Sequence, residues 1–472
     1  MWRQAGSRNS IWWSVSLKGL IWAWLRAKFA SGWVLTPTMA PTGGRQMLLR
    51  FAVANFASIR DEQEFSAIAA DRHDDLAVRP VPESNHMTLP CVGIFGPNAS
   101  GKSNIVSALG FMKRAVTDSH QRWRPSDEIP RRPFLLDPHK SREPSKFEIE
   151  IVADGVRYEY GFLCESDKFT DEWLFAFPEG RPRRIFERKL GEPIHFGPTL
   201  HGQRKQIEKM VRPNSLYLSA AAANNHGQLK PVHDWFESNL RIATEGNFDG
   251  RLRETRHLLE KHGSKAILAL LKYADLGADG VKFSDNKLAP EHAAKLAELI
   301  SAIENTEVSP SQVSMGLEVE ISHKHGGKEF TLPLDYESSG TKTWLGVTGP
   351  IISTLRTGSV LVIDELDARL HHHLAGQFVR LFQEERTNPN GAQLVFNTHD
   401  AALLGPDAVA RLRRDQVWLT EKVGGATQLF PLAGFKVRSI ENIEKRYLGG
   451  RYGALPFFDE SLLAEVVSEI VA

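Results

Sequence analysis

Apolar positions from Met47 to Val53, at Leu48, Leu49, Phe51 and Val53, alternate toward a strand. Asn55 to Arg60 reads as a turn that pairs this strand with a second apolar run, Glu64 to Ala69. Residues 70–88 are charged and carry Pro and His, the composition of a loop. The unbroken run Cys91–Phe95 predicts a buried strand, and the apolar spacing after Asn104 predicts a helix to about Val116. Residues 117–145, rich in Arg, Pro and Asp, read as irregular. Strict alternation returns at Phe147, Ile149 and Ile151, then at Val156, Tyr158, Tyr160 and Phe162. Asp154-Gly155 between these runs is a hairpin signal. Trp173–Phe177 and Arg184–Arg188 continue an antiparallel sheet, and Ser215–Ala220 is read as a further short strand.

From His233 to about Ile303 the period turns helical, first over Leu252, His257–Leu259 and Ala266–Leu271, then over Ala293–Ile303. Val313–Ser322 and Lys328–Leu334 form a hairpin pattern around Gly326-Gly327. A helix is expected over Thr343–Leu355, kinked at Pro350. Val360–Ile363 is a continuous apolar run of the kind that builds a buried parallel strand, and Gln393–Asn397 is a second buried-strand candidate. Internal repeats, heptads and low-complexity tracts are not found.

Composition narrows the picture. At 472 residues the chain exceeds one ordinary domain, and 42% hydrophobic content supports a sizeable core. A net charge of +1 argues no bulk attraction to polyanions. Two cysteines, Cys91 and Cys164, make no disulfide framework and fit a reducing compartment, so a cytoplasmic location is expected. Residues 1–46 differ from the rest: they hold six of the 11 tryptophans. Their apolar run, Ile11 to Leu35, is broken by Lys18, Arg26 and Lys28 and is a poor membrane span. This extension reads as an over-extended start that is poorly ordered, with folding beginning near Met47; a membrane-surface or partner-binding helix is the alternative.

The chemistry concentrates at Gly96-Pro97-Asn98-Ala99-Ser100-Gly101-Lys102-Ser103, a full match to the phosphate-binding pattern G-x-x-x-x-G-K-[ST] between strand and helix. Its backbone N–H groups and the helix N-terminus suit phosphate oxygens. Lys102 is expected to reach the β and γ phosphates and Ser103 to ligate Mg²⁺, with Asn104 counted among the nucleotide-binding residues. Asp364 and Glu365 follow the apolar run 360–363. Asp364 is expected in the Mg²⁺ shell and Glu365 as general base toward water. His399, after the next apolar run, could sense the γ-phosphate. Ser339-Gly340, ahead of a helix, is a second candidate anion site. ATP and Mg²⁺ are therefore the expected substrate and ion.

This set resembles ABC-type ATPase heads, and Asn55-Phe56-Ala57-Ser58-Ile59 is similar to the segment that opens SMC- and RecF-group heads. The resemblance implies that Ser339 and Gly340 act in trans on nucleotide held by another subunit, in head-to-tail dimer units. Asp367 and Arg369 would then lie on the loop crossing that interface. A narrower resemblance, from Met47 onward, is to bacterial AAA ATPases of the abortive-infection and Rlo kind and to the ATPase half of OLD-family nucleases. It is carried by Leu49-Arg50-Phe51, Ile59–Glu64, Arg212–Leu216 and Gly450–Ala454. It implies a separately encoded, nuclease-like effector and a role in defence against phage or foreign DNA. A C-terminal Toprim nuclease is not expected in the 73 residues after His399. The glutamine loop is assigned to Ser219–Asn225, with Asn224 or Gln228 standing in.

Weaker signals carry less. His371-His372-His373 cannot converge on one ion, because consecutive helical residues point about 100° apart. Arg122, Arg124, Arg131 and Arg132 around Trp123 read as a nucleic-acid groove or, in preference, a solvated loop; Arg411, Arg413 and Arg414 are equally ambiguous. Arg451 and Tyr452 are expected to pack on the ATPase core or a partner. The fold class expected is α/β: a P-loop NTPase of ABC-ATPase type, with a mixed-sheet core, an antiparallel β lobe and a helical insertion. The expected divisions are 47–232, 233–310 and 311–472. The expected function is Mg²⁺-dependent ATP hydrolysis in a dimer that senses or controls a defence effector, with no membrane partner. The alternative is an SMC/RecF-like repair ATPase that binds DNA directly.

Overall fold

Alternating apolar positions build one sheet of this protein, and continuous apolar runs build another. The computed structural model describes residues 45–71, 75–287, 314–436 and 442–455, with isolated positions in 291–298 and 466–470. The Trp-rich extension lies outside them except for Arg45 and Gln46, as does nearly all of the expected Ala293–Ile303 helix.

The antiparallel sheet has seven strands: β1 (Met47–Ala54), β2 (Gln63–Ser66), β6 (Ser145–Ala153), β7 (Val156–Cys164), β8 (Phe169–Phe177), β9 (Arg183–Lys189) and β10 (His195–Phe196), in the order β10-β9-β8-β7-β6-β1-β2. Between β1 and β2 in space lies no other strand; a two-residue pair, β3 (Arg79–Pro80) and β4 (Met87–Thr88), follows them in sequence. The β6–β7 turn places Asp154 at φ 50° and Gly155 at φ 81°, the left-handed pair that a two-residue hairpin favours. A register shift between Leu48 and Arg50 changes which face of β1 each residue serves. Leu48, Phe51 and Val53 join the main core, while Met47 and Leu49 pack with Val81 and Val152.

The second sheet is β11 (Leu240–Ala243), β15 (Val360–Ile363), β16 (Gln393–Thr398), β5 (Cys91–Phe95), β17 (Val417–Val423) and β18 (Ala426–Pro431), adjacent in that order. The first five run parallel, and β18 returns antiparallel as a hairpin with β17. β15, β16 and β5 are buried throughout, which explains the uncharged, mainly apolar sequence of all three. Helix α1 (Lys102–Asp118) bridges the two sheets. Its Phe111 lies 4.8 Å from Phe147 of β6, and Phe56 closes on Phe147 at 5.5 Å. The expected mixed α/β architecture with an antiparallel lobe is present.

Three local expectations need correction. Ser215–Ala220, read as a strand, lies largely in helix α2 (Tyr217–Ala223). Alanine favours helix, and the buried Glu172 carboxylate accepts from Tyr217 N at 2.6 Å and Leu218 N at 2.9 Å, capping its first turn. The helical reading after His233 holds for α3 (Phe248–His262) and for Lys265–Tyr273, but fails at β11 and at β12 (Gly280–Lys287). β11 is only four residues long, too short to show a period. β12 pairs with β13 (Ser314–His325), which pairs with β14 (Lys328–Pro333), the hairpin expected at Gly326-Gly327. Helix α4 (Ser339–Thr357) runs through Pro350, and α5 (His372–Gln383) follows β15. Among the described residues no helix is long and apolar enough to cross a membrane.

One buried side chain ties the two sheets together. Gln393, at the start of β16, accepts from Leu48 N at 2.7 Å and donates to Leu48 O at 3.0 Å and Leu89 O at 3.1 Å. Replacing it with alanine strands three buried backbone groups. Gln393→Ala is expected to lower stability by about 2–4 kcal/mol in equilibrium denaturation; an unchanged midpoint would show that the joint between the sheets lies elsewhere.

Candidate nucleotide site

Register decides where the candidate residues meet. Phe95 of β5 pairs with Thr398 of β16, and Phe396 of β16 pairs with Ile363 of β15. β5 and β16 therefore end level and β15 ends two residues earlier, and the segments that leave them carry Gly96–Ser103, His399 and Asp364-Glu365 to the same end of the sheet. Ligands of open parallel sheets bind at such carboxyl ends.

The β17–β18 hairpin crosses this edge and shapes the phosphate loop. A Cβ at Gly96 would lie 2.2 Å from Thr420 Oγ1, and one at Gly101 would lie 2.0 Å from Thr427 Oγ1. Both positions therefore require glycine. Hydroxyls then brace the loop: Ser100 Oγ shares a hydrogen bond with Thr420 Oγ1 at 2.7 Å, and Thr427 Oγ1 donates to Ser100 O at 2.8 Å. Ser58 Oγ meets Thr427 Oγ1 at 2.6 Å and accepts from Asn104 Nδ2 at 2.7 Å. Thr420 and Thr427 were not legible as site residues, since nothing in a β-hairpin sequence marks which threonine faces a distant loop. At the tip of the loop, Asn98 and Ala99 are exposed.

Lys102 is buried and folded back over the loop, donating to Gly96 O at 2.7 Å and Pro97 O at 2.9 Å. Burial draws its pKa down to about 8, opposed by the charges of Asp367, Glu365 and Asp364. His399 Nδ1 lies 3.1 Å from Lys102 Nζ. Burial and the Lys102 charge hold His399 below the usual histidine range. A neutral ring accepting at Nδ1 suits an ammonium neighbour. Ser103, half-buried in the first turn of α1, follows directly.

Asn397, fully buried on β16, organises the acids; the sequence reads it only as the end of a buried strand. Its Nδ2 donates to Asp364 Oδ1 at 2.5 Å, and its Oδ1 accepts from Glu365 N at 2.5 Å. Its carbonyl accepts from Leu366 N at 3.0 Å, while Asp364 N donates to Ala243 O of β11 at 3.0 Å. Glu365 is thereby held at φ 57°, a left-handed backbone that costs a non-glycine residue about 1–3 kcal/mol. Asp367 Oδ2 accepts from His399 N at 3.2 Å, and its buried Oδ1 has no hydrogen-bond partner.

Ser339 and Gly340 stand apart from this cluster. Ser338 caps α4, accepting from Thr341 N at 3.0 Å, so Ser339 is the exposed first helical residue. A Cβ at Gly340 would lie 3.1 Å from Arg369 O, on the loop after Glu365. Among the described residues no hydrogen bond joins Ser339 or Gly340 to residues 96–103. Asn224 Nδ2 donates to Ala220 O at 2.8 Å, and Gln228 binds His201 N at 2.8 Å and Thr199 O at 3.0 Å; neither hydrogen-bonds the phosphate loop.

Several of the weaker signals have structural roles. Trp123 stacks on Phe169 with centroids 6.3 Å apart, and Arg131 donates to Glu143 O at 2.7 Å and Ser141 O at 3.1 Å. Arg413 pairs with Asp75, and Arg414 with Asp71 at 2.9 Å. His371 caps α5, its Nδ1 accepting from His373 N at 3.3 Å. Tyr452 packs in the core against Phe435 at 5.2 Å.

The Asn397 geometry generates a test. Asn397→Asp removes the donor to Asp364 and sets a second carboxylate against it. Turnover is expected to fall roughly 10–100-fold, with a raised Mg²⁺ requirement and unchanged nucleotide affinity in EDTA. Equal loss of metal-free binding would mean that Asn397 supports the fold rather than the acids.

Residues 91–405 match the family described as "AAA domain, putative AbiEii toxin, Type IV TA system". No curated protein matches. Among solved structures, the chain is similar to an SmcHead bound to the C-winged helix domain of ScpA, at 13% identity and TM-score 0.40, covering 84% of this chain and 99% of that one. A second, an Smc head with an extended coiled coil bound to the C-terminal domain of ScpA, derived from Pyrococcus furiosus, gives 12% identity and TM-score 0.35, with 86% and 99% covered. A third, the recombination mediator RecF with ATP, gives 12% and 0.30, with 83% and 100% covered. The family match takes in the phosphate loop, the acidic strand end and His399, and by it the chain belongs to this AAA family and is an ATP-hydrolysing P-loop ATPase.

Proposed function

We propose that the protein hydrolyses Mg-ATP at residues 96–103, 364–365 and 399, and that it does so between two copies of the chain. The observation that carries this reading is the meeting of Lys102, Asp364, Glu365 and His399 at one sheet edge from positions hundreds of residues apart. Lys102 would exchange the Gly96 and Pro97 carbonyls for phosphate oxygens. Glu365, exposed and with its backbone N–H held by Asn397, would accept a proton from the attacking water. His399, neutral at its Nδ1 face, would report whether the terminal phosphate is present.

The donor set fits a hard divalent cation: the Ser103 hydroxyl and Asp364 carboxylate offer oxygen ligands, and Asp367 Oδ1 is a buried oxygen without a partner. When bound, Mg²⁺ would neutralise charge on the phosphate oxygens.

Exposure of Ser339, with no hydrogen bond to the phosphate loop of its own chain, supports its use by a second copy. The family description names an AbiEii toxin of a type IV TA system, which supports a defence setting with a separate effector. Glu365→Gln is expected to keep ATP binding, lower turnover about 10²–10⁴-fold and accumulate an ATP-dependent dimer in size-exclusion chromatography. Unchanged hydrolysis removes Glu365 from the mechanism. DNA rather than a protein co-purifying with the trapped form would favour direct DNA binding.

A further inference from the structure

His323 of β13 anchors the turn that presents Ser339 to the β12–β14 sheet. Glu337 lies directly before the Ser338 cap, and its side chain is only 9% exposed. Its Oε1 accepts from His323 Nε2 at 2.6 Å. On the other side of the ring, His323 Nδ1 donates to Gly277 O at 2.9 Å. A carbonyl oxygen can only accept, and so can a carboxylate. Both ring nitrogens must therefore carry protons, which only the imidazolium allows.

The neighbouring charges favour that state. The Glu337 hydrogen bond holds His323 above the usual histidine range against the cost of burial, and Gly277 O and the Asp279 charge add to it. Asp279 Oδ2 also accepts from Lys324 N at 3.0 Å, closing the same turn onto β13. The Lys324 side chain points to the opposite face of the strand from His323. Phe330, opposite His323 on β14, carries no charge. Helix α3 packs on β13, but its Arg256 turns to Glu260 and Asp285. Lys342 of α4 donates to Asp335 O at 3.0 Å.

We propose that His323 is a positioning residue for hydrolysis: its imidazolium clasps Glu337 and so sets the Ser338–Gly340 turn that meets the nucleotide of a second copy. The inference rests on the reading that Ser339 serves nucleotide held by the other copy. A neutral ring satisfies only one of its two acceptors, and the turn is then released from the β12–β14 sheet. The clasp is complete below the raised titration point of His323 and is lost as pH rises through it, on the alkaline side of an ordinary histidine. The β12–β14 sheet thereby gains a hold on hydrolysis without touching the nucleotide.

The test uses Glu365→Gln protein as the parent, between about pH 6 and about pH 9. ATP-dependent dimerisation is read by analytical ultracentrifugation. ATP affinity is read by fluorescence anisotropy of a labelled ATP, at dilutions where no dimer forms. His323→Gln is uncharged and cannot donate to both acceptors. At the acid end it is expected to weaken dimerisation about ten-fold, with ATP affinity unchanged. Toward the alkaline end the parent is expected to converge on the variant. Lys102 titrates near 8 in both proteins, so the difference between them isolates His323. Glu337→Gln, of the same shape, should reproduce the loss, and the double variant should lose no more than either alone. Circular dichroism checks folding, and Glu337→Gln carries the test if His323→Gln does not fold. Dimerisation of the folded variants that matches the parent in strength and pH response, additive losses in the double variant, or an equal loss of ATP affinity overturns the clasp. If the parent forms no ATP-dependent dimer at any pH, the two-copy reading itself fails and the clasp falls with it.

Discussion

The register that gathers the carboxyl ends of three parallel strands is the constraint on which the site depends. Pairing of β5 with β16, and of β16 with β15, leaves Gly96, His399 and Asp364 at the same edge. A one-residue slip in either ladder would exchange the side chains of the two buried faces, sending residues shaped for one core cluster into the other. Register is secured by burial on both faces, since Val92, Ile94, Val362, Val395 and Phe396 have no solvent face to turn to. The apolar core thus fixes a polar constellation that has little attraction of its own; the buried ammonium and nearby carboxylates gain only part of what desolvation costs.

Around that edge the protein relies on neutral hydrogen-bonding groups. Asn397 holds Asp364 and Glu365, while Ser58, Ser100, Thr420 and Thr427 brace the glycine turn. Neutral braces keep the loop ready for phosphate without adding charge that would compete for Lys102. The strained Glu365 backbone persists because β11, through Ala243, and β16, through Asn397, hold the residues on either side. The Asn55–Ser58 turn extends the same scheme to the far side of the glycine loop. Asn55 and Ala57 hydrogen-bond to the backbone of Phe134 and Arg132, and Ser58 touches both Thr427 and Asn104.

Much of this was legible along the chain. The phosphate loop announces itself through glycine and lysine spacing, and the two buried strands through unbroken apolar runs. The long hairpin β6–β7 shows its period and its turn. Short elements were harder. β11 has four residues and sits in a stretch dominated by helical spacing, so no local signal exposes it. The helix at 217–223 was read as a strand because its first turn is stabilised by Glu172, some 45 positions away. Asn224 and Gln228, proposed from their neighbourhood, hydrogen-bond to Ala220 and His201.

The sequence alone determined which chemical groups are available: a glycine loop, a lysine, two adjacent carboxylates, a histidine and a second serine-glycine pair. These are local patterns, and local physics of backbone freedom, charge and apolar period suffices to find them. Only the tertiary structure decided which of these groups meet, which neutral residues hold them and what anchors the serine-glycine turn. Those contacts join strands and turns far apart in the chain, and they follow from sheet order and register. No period along the chain encodes that order, because it is chosen by the packing of the whole core.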